Sequence, residues 1–180
     1  MRSLLKACEA PGYPARVLCV VSDNPEAEGL EYAKGQSVPV HCVDYRKFQN
    51  KNKAEKALLD IIFSYDVNCI CLAGFMRVLS KFFLDQTREC DVLNIHPSLL
   101  PKYKGLNVHE RVIKNGEKKS GCTVHYVSEK IDGGDVILQK QVPVFPKDTP
   151  CDLAQRVLEK EHEAYPQALR IVAEKHRYIC

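Results

Sequence analysis

The sequence predicts an α/β fold, a doubly wound and mostly parallel sheet in a single domain. Short apolar runs alternate with helical periodicity through the first half of the chain, which is typical of βαβ units. The first such run, residues 16–21, is apolar without polar alternation, as expected of a strand buried on both faces. The length of 180 residues suits one hydrophobic core, and the chain shows no internal repeat or linker.

In the first half of the chain, the predicted strands are each followed by a helix. Pro25 and Gly35 mark the start and the end of one helix, because proline suits a first helical position and glycine a helix end. A later helix has a predicted apolar face made of Ala54, Leu58, Ile61, Ile62 and Tyr65. The predicted elements are helix 1–9, strand 16–21, helix 25–35, strand 38–43, helix 51–65, strand 67–73 and helix 79–87.

The second half contains fewer helices. Gly116 is expected to stop a helix, and Thr149 followed by Pro150 to start the last one. Pro166 lacks a backbone N–H and is expected to kink or break that last helix. The final strand is the least apolar and is therefore placed near an edge of the sheet. The predicted elements are strand 90–96, helix 108–115, strand 121–127, strand 135–144 and helix 149–175.

Composition argues against several classes of protein. The net charge of +3 is too small to indicate a nucleic-acid partner by itself. Apolar runs stay shorter than the roughly 18 residues that span a bilayer, and charges interrupt the N-terminal segment too early for a signal peptide. None of the nine cysteines forms a C-x-x-C pair, so we expect reduced thiols and no metal site. The protein is therefore expected to be cytoplasmic, without membrane or nucleic-acid partners.

The most informative stretch lies at the exit of the strand that ends near His96. Side chains alternate along a strand, so Asn94 and His96 point the same way, and Pro97 turns the chain into a loop. Arg77 and Asp132 also follow predicted strands or turns, and ligands bind at such an edge of an open α/β sheet. By itself, the pattern is also compatible with a strand end whose asparagine caps a turn and whose histidine is a satisfied polar group.

These residue types suit proton transfer at a carbonyl group. A histidine beside a carboxylate is the minimal acid–base pair, because the carboxylate favours and orients the imidazolium. Asn94 could donate a hydrogen bond to an oxygen that gains charge in a tetrahedral intermediate. The sequence has no nucleophile-elbow serine and no glycine-rich phosphate motif. The residues therefore favour acyl or formyl transfer, or hydrolysis, by direct attack of a bound nucleophile.

Five segments make the pattern more specific: Asn94–Pro101, Asp132–Gly134, Gly74–Ser80, Lys102–Leu106 and Glu161–Pro166. With them, the sequence resembles the folate-dependent formyltransferases, and most closely the phosphoribosylglycinamide formyltransferase family, also called glycinamide ribonucleotide transformylases. The resemblance extends from residue 1 to about residue 170. It implies a Rossmann-like formyltransferase fold and a role in de novo purine synthesis.

The resemblance implies a reaction with two small-molecule substrates and no metal. The donor is the co-substrate 10-formyltetrahydrofolate, a folate, and the acceptor is the primary amine of glycinamide ribonucleotide. The amine attacks the formyl carbon while Asn94 and His96 stabilise the oxyanion. His96 passes a proton to the departing folate nitrogen, and Asp132 favours the protonated form of His96 and orders a water molecule.

The resemblance also assigns binding residues by position. Lys51 stands where the family often has an arginine near the folate tail, and Leu158 where it often has a polar residue near the nucleotide. Glu161 would hydrogen-bond the nucleotide. The implied donor contacts are Lys51, Met76, Arg77, Val78, Leu79, Asn94, Ser128, Glu129, Lys130, Ile131 and Asp132. The implied nucleotide contacts are Leu158, Glu159, Lys160 and Glu161.

The N-terminal segment departs from the family pattern. The family begins with a strand and a G-x-G-S-N loop that cradles the substrate phosphate, and Met1–Cys8 match the helix that follows that loop. We therefore expect one formyltransferase domain over residues 1–180 that lacks the first strand and the phosphate loop. Either the start was assigned at an internal methionine, which we expect, or the chain is a truncated paralogue.

Several alternatives share the strand-exit motifs. A formyltetrahydrofolate deformylase would carry an additional N-terminal domain, and a methionyl-tRNA formyltransferase a C-terminal domain for tRNA. An inactive, folate-binding paralogue is the alternative outside the enzymes. The remaining histidines are expected to be structural or solvated, although His125 alternates within a predicted strand and is expected near the site. The sequence leaves the oligomeric state open.

Overall fold

A computed structural model describes residues 1–177 of the chain. The residues group into two compact units, which we describe separately. Unit 1 comprises Met1–Ile70 and Met76–Asp91; unit 2 comprises Cys71–Phe75 and Val92–Cys180. The expectation of one domain over residues 1–180 stays a prediction, and the predicted thiol of Cys180 lies outside the described residues.

Unit 1 carries helices around a small parallel sheet. Its two strands pair in parallel, with Val20 opposite Val40 and Ser22 opposite Cys42. Its buried apolar side chains include Leu30 and Phe83. The elements are α1 (Arg2–Cys8), β1 (Val20–Ser22), α2 (Glu28–Gly35), β2 (Val40–Cys42), a 3-10 helix (Tyr45–Lys47), α3 (Lys51–Phe63) and α4 (Lys81–Gln86), while β3 (Cys69–Leu72) extends from unit 1 into unit 2.

The strands β1 and β2 are shorter than predicted from the apolar runs 16–21 and 38–43. The N–H of Val38 donates to the carbonyl of Ala33 at the end of α2 (3.1 Å), and Pro39 has no N–H to donate. Pairing therefore starts where the N–H of Val20 donates to the carbonyl of Pro39 (2.9 Å). An apolar run therefore pairs as a β-strand only where the neighbouring segment has backbone N–H groups that are free to donate hydrogen bonds.

The buried face of α3 differs from the predicted one. Leu59 takes the place predicted for Leu58, and Ile61 is only half-buried. The face also includes a carboxylate: Glu55 is fully buried and accepts a hydrogen bond from the backbone N–H of Ser80 (2.9 Å). The hydroxyl of Ser80 donates to the other oxygen of Glu55. Glu55 thus accepts hydrogen bonds from Ser80 at the N-terminus of α4, and this charged residue belongs to the core of unit 1.

Unit 2 contains most of a four-stranded sheet in the order β3-β4-β5-β6. The sequence predicted a mostly parallel sheet, but the sheets are mixed, because β5 pairs antiparallel with both β4 and β6. The short connection between β5 and β6 cannot form a parallel crossover. The edge position predicted for the last strand is confirmed. The elements are β4 (Asp91–His96), α5 (Val108–Lys114), β5 (Lys119–Tyr126), β6 (Val136–Pro143) and α6 (Pro150–Arg177).

The last helix, α6, continues through Pro166, so of the predicted kink or break the break is wrong, whereas the kink stays a prediction. A proline removes one backbone hydrogen bond from a helix. That loss is offset here by burial, since α6 packs on β5 and β6 with Leu153, Val157 and Val172 in the core. The hydroxyl of Tyr165 adds hydrogen bonding, 3.0 Å from the carbonyl oxygen of Leu93.

The buried Glu55 generates a stability prediction for unit 1. In Glu55→Ala, the N–H and hydroxyl of Ser80 lose their acceptor, so the free energy of unfolding should fall by about 1–3 kcal/mol. Urea denaturation measures this loss. Asp60→Ala is the matched control, because it removes an exposed ion pair on the same helix and should cost about 0.5 kcal/mol or less. Equal losses in the two variants would contradict the structural role of Glu55.

Candidate active site

Four polar side chains share one face at the end of β4 and on β5. In the antiparallel register, Asn94 lies opposite His125 and His96 opposite Thr123, and directly opposed residues project to the same side of a sheet. The ladder between β5 and β6 shifts register at the step from Val124 to His125, which is the kind of irregularity that re-aims side chains next to sites. The strand register therefore gathers the predicted carboxamide and imidazole with a second imidazole.

The ring of His96 is buried, and both of its nitrogens contact the protein. Its Nε2 lies 2.9 Å from the backbone carbonyl oxygen of Tyr103. Its Nδ1 lies 3.4 Å from Oδ2 of Asp132, and the two side chains are only 8% and 10% exposed. A carbonyl oxygen only accepts, so Nε2 carries a proton. The carboxylate also accepts, so its contact with Nδ1 is most favourable when that nitrogen is protonated too.

A tight turn brings Asp132 to His96. The residue has a positive φ of 48°, and the turn is closed by the N–H of Gly133 on the carbonyl of Lys130 (3.0 Å). A Cβ atom at Gly134 would lie 1.8 Å from the carbonyl oxygen of Tyr126, so only glycine allows the chain to pass this close to β5. The predicted D-G-G motif thus places its carboxylate over the sheet.

The carboxylate of Asp132 also holds the loop after β4. The backbone N–H of Gly105 donates to Oδ2 (2.8 Å), the oxygen that faces His96. The other oxygen, Oδ1, lies 3.8 Å from Nε2 of His125. One acidic group from a later turn therefore contacts two histidine rings and the loop.

Two further histidines, His125 beside Asp132 and His109 near His96, have pKa values that burial lowers. Nδ1 of His125 donates to the carbonyl of Tyr126 (2.8 Å), so its Nε2 is an acceptor when the ring is neutral. Burial lowers the pKa of His125. Burial, followed by the nearby His96, also lowers the pKa of His109. Within residues 1–177, Nε2 of His125 and Nδ1 of His109 are buried without a hydrogen-bond partner.

The residues of unit 1 that are predicted to contact the folate donor have different surroundings. Nε of Arg77 donates to Asp23 (2.7 Å), and its guanidinium lies 4.4 Å from the centre of the Tyr45 ring. Met76 and Val78 flank it and are 81% and 55% exposed. Leu79 is buried and Lys51 lies 3.7 Å from the buried Glu55. The side chain of Leu79 thus serves the core of unit 1.

The loop Ser128–Asp132, which is predicted to contact the folate donor, lies in the connection between β5 and β6. The hydroxyl of Ser128 donates to the carbonyl of Lys130 (3.2 Å), which shapes the loop before the turn. Glu129 and Lys130 are exposed, and Ile131 is an exposed apolar side chain. This loop leads directly to Asp132, so it flanks the acid–base pair.

The predicted nucleotide contacts lie along α6. Leu158 and Glu159 are exposed, and Nζ of Lys160 donates to Glu163 (2.8 Å). Glu161 is half-buried, and burial raises the pKa of its carboxyl group. A carboxyl group in such surroundings gains from hydrogen-bond donors that replace its lost hydration.

Residue types alone do not reveal the backbone groups of this site. The carbonyl of Tyr103 and the N–H of Gly105 contact His96 and Asp132 directly. Every residue carries such groups, so residue identity gives no signal for them. The sequence signal for His125 was its position in a predicted strand, where side chains alternate between the two faces. For His109, predicted to be structural or solvated, no local signal was present.

The described residues offer neither a metal-binding cluster nor a membrane-spanning helix. In the part of the chain that the structure describes, no group of three or more His, Cys, Asp and Glu side chains could hold a metal ion. Over the same residues, no helix is both long and apolar enough to cross a membrane.

Comparison with known proteins identifies the family. The formyl transferase family model matches residues 1–169. The phosphoribosylglycinamide formyltransferase of Haemophilus influenzae is 38% identical over 94% of this chain and 80% of its own. The trifunctional purine biosynthetic protein adenosine-3 of Gallus gallus is 40% identical over 96% of this chain, which spans only 17% of that longer relative.

Solved structures agree with this result and with the predicted α/β fold class. The phosphoribosylglycinamide formyltransferase from Brucella melitensis matches with a TM-score of 0.91 and 42% identity, over 96% of this chain and 88% of that one. The glycinamide ribonucleotide transformylase 1 from Symbiobacterium toebii matches with a TM-score of 0.92 and 38% identity, over 97% and 82%. The α/β, Rossmann-like fold predicted from the sequence is confirmed, and the chain belongs to the phosphoribosylglycinamide formyltransferase family.

Proposed function

We propose that this protein is an enzyme that transfers the formyl group of 10-formyltetrahydrofolate to the amine of glycinamide ribonucleotide, a step of purine biosynthesis. The observation that carries the proposal is the buried contact of His96 with Asp132, 3.4 Å apart, on the face that also bears Asn94. An acid–base pair beside a carboxamide is what direct attack on a formyl carbon requires.

The reaction needs a stabilised oxyanion and one proton moved between two nitrogens. The amine attacks the formyl carbon, and the resulting oxyanion accepts hydrogen bonds from the amide of Asn94 and from protonated His96. When the carbon–nitrogen bond to folate breaks, His96 gives a proton to the departing nitrogen, and the attacking amine releases one. Asp132 keeps the ring of His96 oriented through its contact with Nδ1. A water molecule on Asp132 takes the proton that the amine releases and returns one to His96.

This role requires His96 to exchange one of its contacts. In the structure, Nε2 donates to the carbonyl of Tyr103, whereas Nδ1 faces Asp132. Because Nδ1 faces Asp132, Nε2 is the nitrogen that turns to the substrate. The carbonyl of Tyr103 thus keeps Nε2–H in place, and the oxyanion of the substrate takes over this hydrogen bond as it forms.

The binding residues belong to the same proposal. The donor is contacted by Lys51, Asn94, the loop Ser128–Asp132 and the segment Met76–Leu79, in which the buried Leu79 contributes its backbone. The nucleotide is contacted by Leu158–Glu161. The exposure of Met76 and Ile131 supports an apolar contact with a pterin ring. We expect small molecules as the only partners, without nucleic acid or membrane, and a cytoplasmic location.

An assay of the full chain with both substrates tests the proposed function. Formylation of glycinamide ribonucleotide, followed together with release of tetrahydrofolate, is the expected result. Release of formate without a formylated product would instead indicate a deformylase. A thermal shift with folate but none with glycinamide ribonucleotide, and no turnover, would indicate a folate-binding protein without catalysis.

The acid–base pair generates the first activity prediction. His96→Ala and Asp132→Ala should each lower kcat by at least about 100-fold, because a positioned acid–base group contributes roughly 10²–10⁴. Steady-state kinetics measures the effect, and circular dichroism checks that the variants fold. Near-normal turnover in either variant would reject the assigned roles.

The carboxamide generates a separate prediction. Asn94→Ala should lower kcat by about 10²–10³, because an oxyanion donor acts in the transition state. Folate affinity, measured by fluorescence titration, should change much less. A loss of affinity with unchanged kcat would contradict the oxyanion role and indicate a ground-state contact.

The half-buried carboxyl group on α6 generates a prediction about the acceptor. Glu161→Gln should raise the KM for glycinamide ribonucleotide about tenfold, since a charge-assisted hydrogen bond becomes a neutral one. The KM for the folate donor should stay within twofold. Glu174→Gln, at an exposed position of the same helix outside the proposed contacts, is the control and should leave both KM values unchanged; an equal rise in both variants would contradict the role of Glu161.

A further inference from the structure

The backbone of Tyr103 is held in an unusual conformation at the point where it contacts His96. Its carbonyl oxygen accepts the hydrogen bond from Nε2 of His96 (2.9 Å). Its φ is 57°, in the left-handed region that bulky residues rarely adopt. Such a conformation persists only where surrounding contacts hold it, and it often occurs at functional sites. The contacts of the Tyr103 side chain therefore bear on the position of the carbonyl.

The hydroxyl of Tyr103 is anchored by two residues that follow α5. It donates to Oε1 of Glu117 (2.9 Å) and accepts from Nδ2 of Asn115 (3.0 Å). Hydrogen bonds from Lys102, and next from Tyr103, lower the pKa of Glu117. Glu117 is therefore an ionised acceptor, and hydrogen bonds to charged groups are stronger than neutral ones.

A third residue, Arg111 on α5, contacts both the ring and the loop. The guanidinium of Arg111 lies 5.4 Å from the centre of the Tyr103 ring. It also donates to the carbonyls of Lys104 (2.7 Å) and Leu106 (3.2 Å). We call Arg111, Asn115 and Glu117 the Tyr103 clamp. The clamp joins the loop to α5, whereas His96 and Asp132 come from other parts of the chain.

We propose that Glu117 and Asn115 are positioning residues for His96, because they hold the Tyr103 side chain and thereby the carbonyl that keeps a proton on Nε2. Neither residue touches His96. They act on His96 only through Tyr103, because anchoring its hydroxyl fixes its ring and thereby its backbone carbonyl. The expected effect on turnover depends on the proposed transferase function, whereas the effect on the proton of His96 does not.

The clamp gives His96 a defined starting state. With Nε2–H held by a carbonyl and Nδ1 facing Asp132, the ring has one orientation and its N–H is shielded from solvent. Without the clamp, the Tyr103 backbone can leave the left-handed region, and the carbonyl moves away from Nε2. The ring then exchanges its Nε2 proton with water and samples other orientations.

Tyr103→Phe isolates the hydroxyl anchor, because it keeps the aromatic ring and its contact with Arg111. Nitrogen-15 NMR of the histidine rings in the full chain reads the outcome, with the His96 signals assigned by their loss in His96→Gln. The Nε2 proton of His96 should exchange with water about tenfold faster than in the unmodified protein, the expected effect of losing a hydrogen bond to a charged group. Glu117→Ala and Asn115→Ala should act in the same direction.

Conservative and control variants distinguish a positioning role for His96 from a general loosening of the loop after β4. Glu117→Gln retains an acceptor for the Tyr103 hydroxyl and should restore most of the slow exchange. Lys102→Met removes only the exposed partner of Glu117, a contact of 2.9 Å, and should leave the His96 signals unchanged. Tyr103→Phe combined with Glu117→Ala should be no worse than Tyr103→Phe alone, because Tyr103→Phe already removes the hydrogen bond to Glu117.

Kinetics on the same variants completes the test. Tyr103→Phe and Glu117→Ala should lower kcat about tenfold and leave the KM of both substrates within twofold. Unchanged His96 signals in Tyr103→Phe, or an equal effect of Lys102→Met, would overturn the positioning role. If the unmodified chain transfers no formyl group but the NMR effects are present, the positioning role stands and the proposed function fails.

Discussion

The contact between His96 and Asp132 is the constraint on which the site of unit 2 depends. Both side chains are almost completely buried, and their polar atoms lie 3.4 Å apart. Burying charged groups costs free energy that their mutual attraction offsets only when further hydrogen bonds satisfy them. Those bonds come from the carbonyl of Tyr103 and the N–H of Gly105, so the loop after β4 and the acid–base pair stabilise each other.

The sheet supplies the rigid frame for this pair. Thr123, opposite His96, donates to the carbonyl of Ser98 (2.6 Å) and accepts from the N–H of Leu100 (3.0 Å), so it fixes the first turn of the loop. The side chain of Gln139 on β6 donates to the same hydroxyl (2.8 Å). Three neighbouring strands therefore hold the loop at its base, and the Tyr103 clamp holds it farther along.

Unit 1 stabilises its polar groups by the same means. Glu55 is buried in the core because Ser80 satisfies both of its oxygens. Arg77 lies between the carboxylate of Asp23 and the ring of Tyr45, which restricts the orientation of its guanidinium. Burial and the charge of Glu55 raise the pKa of Tyr45 to about 12, so its ring stays neutral under the cation. Arg77, which is expected to contact the folate donor, is thus held by contacts within unit 1.

By itself, the sequence determined the α/β class, the strand exit with Asn94 and His96, and the family, because these follow from local hydrophobic patterns and from side-chain motifs. Only the tertiary structure decided that Tyr103 contacts His96 through its carbonyl, that Glu55 is a core residue, and that α6 continues through Pro166. The reason is physical: backbone groups are the same in every residue, and the cost of a buried charge or a helical proline depends on partners distant in the chain.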